Sequence, residues 1–210
     1  MKDFERHQIL IATHNPGKAR EFVDLFSNLP VDLRQLSEFS DITEVEETGN
    51  TFNANAELKA VGYTRQVKLW TVAEDSGLEV AALNGAPGVL SARHAGEFAT
   101  PLERNEKVLH ELQENVDRTA RFVCVMVFAS PTGEVLHRVE GTCNGNIASE
   151  PRGTNGFGYD SIFIPEGFTN TFGELPITVK QGISHRARAS TEMKEFLSRF
   201  LPPATNEPSE

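Results

Sequence analysis

The order of apolar patterns constrains this chain more than any single motif. Residues 8–12 form a short apolar run that breaks at Thr13-His14-Asn15-Pro16-Gly17. Phe22, Leu25, Phe26 and Leu29 then recur at the spacing of one helical face, which predicts a strand followed by a helix over 18–29. "SEFSDITEVEETGN" reads as a polar, acidic loop, and Phe52, Ala56, Ala60 and Tyr63 mark a second helix over 51–66. "LWTVAEDSGLEVAALNGAPG" reads as a strand, a turn and more extended chain, and 101–116 as a helix with Pro101 in its first turn. Beyond that point strands follow one another. "RFVCVMVFAS" and "EVLHRVEGTCNGNIA" read as a hairpin joined at Pro131-Thr132-Gly133, and "GFGYDSIFIP" as a Gly-flanked strand. A last helix starts near Ser184. Alternation followed by clustered strands predicts an α/β domain on a mixed sheet, over 1–200, with a disordered tail at 201–210.

Charge narrows the partners. Lys plus Arg total 20 against 30 Asp plus Glu, a formal net charge of −10 over 210 residues. Such a surface repels nucleic-acid polymers and anionic membranes, so any basic cluster is local. Cys124 and Cys143 are not spaced as a metal or redox pair, which suits a reducing cytosol. No signal-like segment opens the chain, and the apolar run 122–129 is too short to span a membrane. A soluble cytoplasmic protein is expected.

Two basic clusters then stand out. Lys18 and Arg20 fall at the start of one predicted helix; His185, Arg186 and Arg188 follow the cap Ser184 of another, with Lys180 just upstream. The helix dipole disfavours cations at both places. Either cluster alone reads as a solvated turn or face; two in so acidic a chain point to a polyanion between them. The first turn is not a P-loop, because Ala12 stands where that motif requires glycine. Lys59 lies one helical turn past Asn55 and shares its face. Glu44, Glu46 and Glu47, and again Glu74 and Asp75, read either as a solvated loop and a turn or as hard oxygen ligands for a magnesium-bound phosphate ester. Glycines around Phe157 allow its ring to stand free for a flat base, with Asp160 within hydrogen-bonding reach; the alternative is a core aromatic. HExxH, CxxC and GxSxG motifs are absent.

"ATHNPGKAREF", "EETGNTFNANAELKA", "EDSGLEVAALNGAPGVLSARHAG", "TNGFGYDSIF" and "ISHRARA" occur in one order over about 8–200. In this the chain resembles the inosine/xanthosine triphosphate pyrophosphatases. The resemblance implies an elongated α/β fold, a long mixed sheet flanked by helices, two lobes with the active-site cleft between them, and a homodimer. It implies Mg2+-dependent hydrolysis of ITP, dITP and XTP to monophosphate and pyrophosphate, keeping these nucleotides out of DNA and RNA.

Carried over by position, Thr13, His14, Asn15, Pro16, Gly17 and Lys18 hold the triphosphate, with Lys59 a further phosphate ligand. Glu47 and Asp75 bind the metal, Asp75 also accepts a proton from the attacking water, and Ser76 touches substrate. Phe157, Gly158, Tyr159 and Asp160 form the base-stacking segment; Lys180, His185 and Arg186 grip the base and nearby phosphate. On this view Lys18 and Arg20 face a triphosphate. Glu74 replaces an Asp common in relatives, Ser161 replaces a Pro, and "GTCNGNI" lacks a tryptophan. Donors on Lys180, His185 and Arg186 suit the keto oxygen of hypoxanthine or xanthine and oppose the amino group of adenine. A sensor without turnover and a broader nucleotide pyrophosphatase are the rival readings, separated by a substrate panel.

Overall fold

The computed structural model of the protein describes residues 7–201; most of the proposed tail lies outside them. The strands are β1 (His7–Ala12), β2 (Val31–Gln35), β3 (Trp70–Val80), β4 (Thr119–Ala129), β5 (Val135–Ile147) and β6 (Phe163–Pro165). The α-helices are α1 (Pro16–Phe26), α2 (Phe52–Val67), α3 (Pro101–Glu111), α4 (Ile177–Ile183) and α5 (His185–Phe200). One mixed sheet runs through them in the order β2-β1-β3-β4-β5-β6, parallel from β2 to β3 and antiparallel from β3 to β6. This is the α/β mixed-sheet class expected from the apolar pattern.

Strand periodicity distributes the core. On one face Ile9, Ile11, Val72, Cys124, Met126 and Phe128 pack under α1 and α5, against Phe22, Phe26, Met193 and Leu197. On the other, Leu10, Ala12, Ala73, Val125 and Val127 pack under α2, against Phe52, Ala56, Ala60 and Tyr63. A third cluster fills the far end of the sheet, where Leu78, Val80, Phe122, Cys143 and Phe163 meet Val108 and Leu112 from the region of α3.

Several local expectations are corrected. "AEDSGLEV" contains no turn; it lies inside β3, paired residue for residue with β4 from Thr71 opposite Ala129 to Val80 opposite Ala120. In "GFGYDSIFIP" the strand is confined to β6, and Asp160–Ile162 is a 3-10 turn. The edge strand β2 falls where no strand was expected, since only Val31 of its side chains is buried and no alternation announces it. α1 starts at Pro16, because the Asn15 side chain accepts from the Gly17 and Lys18 N–H groups and ends the turn there. α3 stops at Glu111, and the short α4 precedes α5.

The register explains where the cleft opens. Ala12, the last residue of β1, pairs with Ala73, and beyond that β4 is the strand beside β3. A crevice therefore begins at the carboxyl end of β1, where ligands of open α/β sheets bind.

Candidate active site

This cleft holds about 450 Å3, within the range of small-molecule sites. Its walls carry every residue that the family resemblance assigned to substrate or metal: the 13–18 turn, Glu47, Lys59, Asp75, Ser76, the segment 157–160, Lys180, His185 and Arg186.

The acidic loop reaches the cleft as an extended strap running back along α2. Thr43 exchanges hydrogen bonds with the Gln66 side chain (2.8 and 3.0 Å). The Val45 N–H donates to the Tyr63 hydroxyl (3.3 Å), Lys59 Nζ donates to Glu47 Oε1 (3.0 Å), and the Gly49 N–H donates to Asn55 Oδ1 (2.8 Å). Two extended residues advance about 6.6 Å and one helical turn about 5.4 Å, so every second strap residue meets the next turn of helix. That parity selects Glu47 from the three glutamates. Glu44 and Glu46 are exposed and make no ion pair among the described residues.

Strand parity likewise divides Glu74 from Asp75. Asp75 faces α2: Oδ1 accepts from Lys59 Nζ (3.1 Å) and Oδ2 from Asn55 Nδ2 (3.2 Å). Because Asn55 Oδ1 accepts from Gly49, the orientation of its amide is fixed. Glu74 faces α1 and α5: Oε1 pairs with Lys18 Nζ (2.6 Å), and Oε2 accepts from Arg186 Nε (3.1 Å) and the Cys124 thiol (2.9 Å). The neighbours' protonation diverges accordingly. Burial opposes ionisation of Glu74, but Arg186 and Lys18 prevail and hold its carboxyl well below the usual range. For Asp75 burial prevails over Lys59 and Lys18, and its carboxyl is pushed up. Lys59 stays charged because Asp75 and Glu47 outweigh its own burial.

The basic helix ends therefore have internal counter-charges. Glu74 sits between Lys18 and Arg186, and Glu21 of α1 joins Arg186 Nη1 to Lys180 Nζ, the latter at 2.8 Å. Lys180 also pairs with Asp160 Oδ2 at 2.5 Å. Four cations in all, Lys18, Lys59, Lys180 and Arg186, meet five carboxylates, Glu21, Glu47, Glu74, Asp75 and Asp160. Arg20 lines the same cleft without a carboxylate partner among the described residues. Arg188 lies outside it and donates to the Thr142 carbonyl.

Asp160 fixes the aromatic segment. Its Oδ2 accepts from the Phe157 N–H (2.7 Å), and Gly156, at φ +74°, is required because a Cβ there would run into the Asp160 carboxyl. The half-buried Phe157 ring lies against Gly17, with Lys180 Nζ 4.6 Å from its centroid. Tyr159 donates its hydroxyl to the Ser91 carbonyl (2.9 Å), and Asn105 of α3 donates to the Gly158 carbonyl (3.2 Å) and to Ser161 Oγ (2.9 Å). His185 stacks on Phe122 at 4.7 Å between centroids, and burial keeps it neutral, its pKa well below the ordinary value. Its Nδ1 is buried without a hydrogen-bond partner, an unspent polar atom in a residue of the cleft wall.

Sequence reasoning missed Glu21, Asn55 as an Asp75 partner, Tyr63 and Asn105. Each sits at an ordinary helical position, and only Asn55 carried a signal, through its shared face with Lys59.

An α/β protein with a densely charged cleft beyond the end of a parallel strand is the class that fold and site define. The chain belongs to the Ham1 family, whose sequence model matches residues 9–196. It is 47% identical over 199 residues to the dITP/XTP pyrophosphatase of Bacillus anthracis, covering 92% of this chain and 98% of that protein. The solved Ham1 protein from Coxiella burnetii superposes with a TM-score of 0.85 at 41% identity, over 92% of this chain and 99% of that one. The nucleoside-triphosphatase, or dITP/XTP pyrophosphatase, of Mycobacterium abscessus superposes with a TM-score of 0.72 at 39% identity, over 89% and 97%.

Proposed function

We infer that the protein hydrolyses non-canonical purine nucleoside triphosphates (dITP, ITP and XTP) to monophosphate and pyrophosphate, and so keeps them out of DNA and RNA. Membership of the family of the B. anthracis dITP/XTP pyrophosphatase supports the reaction class. The observation that carries the mechanism is the opposed environment of two adjacent carboxylates: Glu74 held ionised by Arg186 and Lys18, Asp75 raised by burial beside Lys59.

In this reading Asp75 takes a proton from water as the water oxygen bonds to the α-phosphorus; the bond from that phosphorus to the bridging oxygen breaks, and pyrophosphate leaves with the electron pair. Asn55 and Lys59 hold both carboxylate oxygens, so the base is oriented before substrate arrives. The 13–18 turn faces the phosphates with Lys18, and Phe157 offers its ring to the base. Lys180 and Arg186 present donors to a purine keto oxygen, and the unpartnered Nδ1 of His185 is available beside them.

Among the described residues no three His, Cys, Asp or Glu side chains cluster as a closed metal site, but two carboxylates suit Mg2+, which completes its coordination with substrate phosphates and water. Hard oxygens of Glu47 and Asp75 converge on one point, now marked by Lys59 Nζ at 3.0 and 3.1 Å. The paired charges of the cleft leave little excess positive charge for a triphosphate. Glu47 and Asp75 would hold Mg2+, which would offset phosphate charge when bound.

A cytoplasmic homodimer completes the proposal. Cys124 and Cys143 are free, and among the described residues no helix is long and apolar enough to cross a membrane. Leu90, Phe98 and Leu102 are 48%, 93% and 57% exposed, apolar side chains that a second copy would cover. The test is pyrophosphate and orthophosphate release, with magnesium, from the triphosphates of inosine, xanthosine, adenosine, guanosine and uridine. Pyrophosphate from the first two supports the reading. Orthophosphate as product, or equal rates on adenosine triphosphate, overturns it.

A further inference from the structure

Tyr63 sits where two ligand-facing segments of the cleft meet. Its ring belongs to the α2 face of the core and is 2% exposed, yet the residue also lines the cleft. The hydroxyl oxygen accepts the Val45 N–H at 3.3 Å and lies 3.0 Å from His14 Nε2, whose ring stands edge-on to the phenol at 5.9 Å between centroids. A phenol has one proton. Either that proton is donated to His14 Nε2 or the oxygen accepts from an Nε2–H, and in both tautomers the hydroxyl bridges His14 to Val45.

His14 belongs to the 13–18 turn, and Val45 to the strap two residues before Glu47. Among the described residues no other side-chain hydrogen bond or ion pair joins turn to strap. The end of the turn is tied to β3 by Lys18–Glu74 and lies against Phe157 at Gly17, but its first half is exposed at His14, Asn15 and Pro16, and the Asn15 side chain is spent on capping α1.

We propose that Tyr63 is a positioning residue for substrate binding, its hydroxyl holding the phosphate-facing turn in register with the strap that carries Glu47. This rests on the reading of the cleft as a triphosphate site. Without the tie the turn samples other positions, and substrate must order it on binding, which raises KM and leaves kcat at saturation alone.

The test uses Tyr63→Phe, His14→Ala and the double variant of the full chain. Steady-state pyrophosphate release from dITP is measured, and amide hydrogen exchange at Val45 is followed in each protein. Tyr63→Phe keeps the packed ring and is expected to raise KM about three- to tenfold, the worth of one hydrogen bond, with kcat within about twofold. The double variant is expected to be no worse than the more impaired single, because both remove one link. The Val45 amide is expected to exchange faster in Tyr63→Phe. An unchanged KM, a loss in kcat instead, single effects that multiply in the double, or unaltered exchange at Val45 would each overturn the proposal. If the unmodified protein released no pyrophosphate from dITP, the functional reading would fail, while Val45 exchange would still decide whether the tie exists.

Discussion

Replacing Glu21 by Gln removes one negative charge from the densest part of the network without changing shape. Glu21 is 8% exposed and serves two buried cations, Lys180 at 2.8 Å and Arg186 through Nη1. Stripping a partner from a buried ion pair costs about 3–5 kcal/mol when the remaining charge is left alone. Here each cation keeps a second carboxylate: Asp160 for Lys180 at 2.5 Å and Glu74 for Arg186 at 3.1 Å. The expected loss is therefore smaller, about 2–3 kcal/mol at pH 7, or about 5–10 °C in Tm for a chain of this size. The pH dependence gives a second handle. Burial would raise the Glu21 carboxyl, but Arg186 and Lys180 hold it below its ordinary value near 4.5. A depressed folded-state pKa contributes stability that is fully present above the unfolded value and lost as pH falls through the folded one. Urea unfolding of both proteins from pH 7 downward should thus show a gap that is constant to about pH 4.5 and then closes. A loss below about 0.5 kcal/mol at pH 7, or a gap indifferent to acid, would refute the argument that this ionised carboxylate stabilises the fold through its two buried ion pairs.

Gly17→Ala would place a Cβ 2.8 Å from Phe157 Cδ1 and 2.9 Å from its Cγ, so the half-buried ring must shift. The expected result is a several-fold rise in KM for dITP, from about 1 kcal/mol of overpacking, with far-UV circular dichroism unchanged; an unaltered KM would remove Phe157 from the base site. His185→Phe should keep the stack on Phe122 and abolish one acid-sensitive contribution to stability. The folded-state pKa of His185 is depressed by burial and by Arg186 and Lys180, so the unfolded chain binds the extra proton and stability falls as pH drops below about 6.5. Urea unfolding at pH 7.5 and 5.5 should show that fall, at most about 1.4 kcal/mol per pH unit, in the unmodified protein and less of it in the variant.

What the sequence disclosed was whatever local periodicity carries. The helical spacing of Phe22, Leu25 and Phe26 and the apolar runs of β1 and β4 placed their elements within a few residues. β2 stayed hidden because a mostly exposed edge strand has no alternation to display. The Glu74-Asp75-Ser76-Gly77 segment misled for a different reason. Its residues favour turns, yet full pairing with β4 and charge partners distant in sequence, Lys18 and Arg186, hold it extended. The anomalous cations at two helix N-termini were a true signal of a charged cleft, but their present counter-charges are Glu74 and Glu21, which no local rule connects to them. Glu21 and Tyr63 resembled ordinary helical positions, since what distinguishes them is a contact made across the fold.

In the proposed mechanism Asp75, raised by burial while Glu74 stays ionised, takes the proton when pyrophosphate is released. Its most direct test is single-turnover hydrolysis of dITP with magnesium, comparing the unmodified protein with Asp75→Asn under conditions where both are folded and saturated. Pyrophosphate is the expected product, with a loss of at least about a hundredfold in the chemical step for the variant, the worth of a positioned general base. A variant that releases pyrophosphate within a few-fold of the normal rate would contradict it.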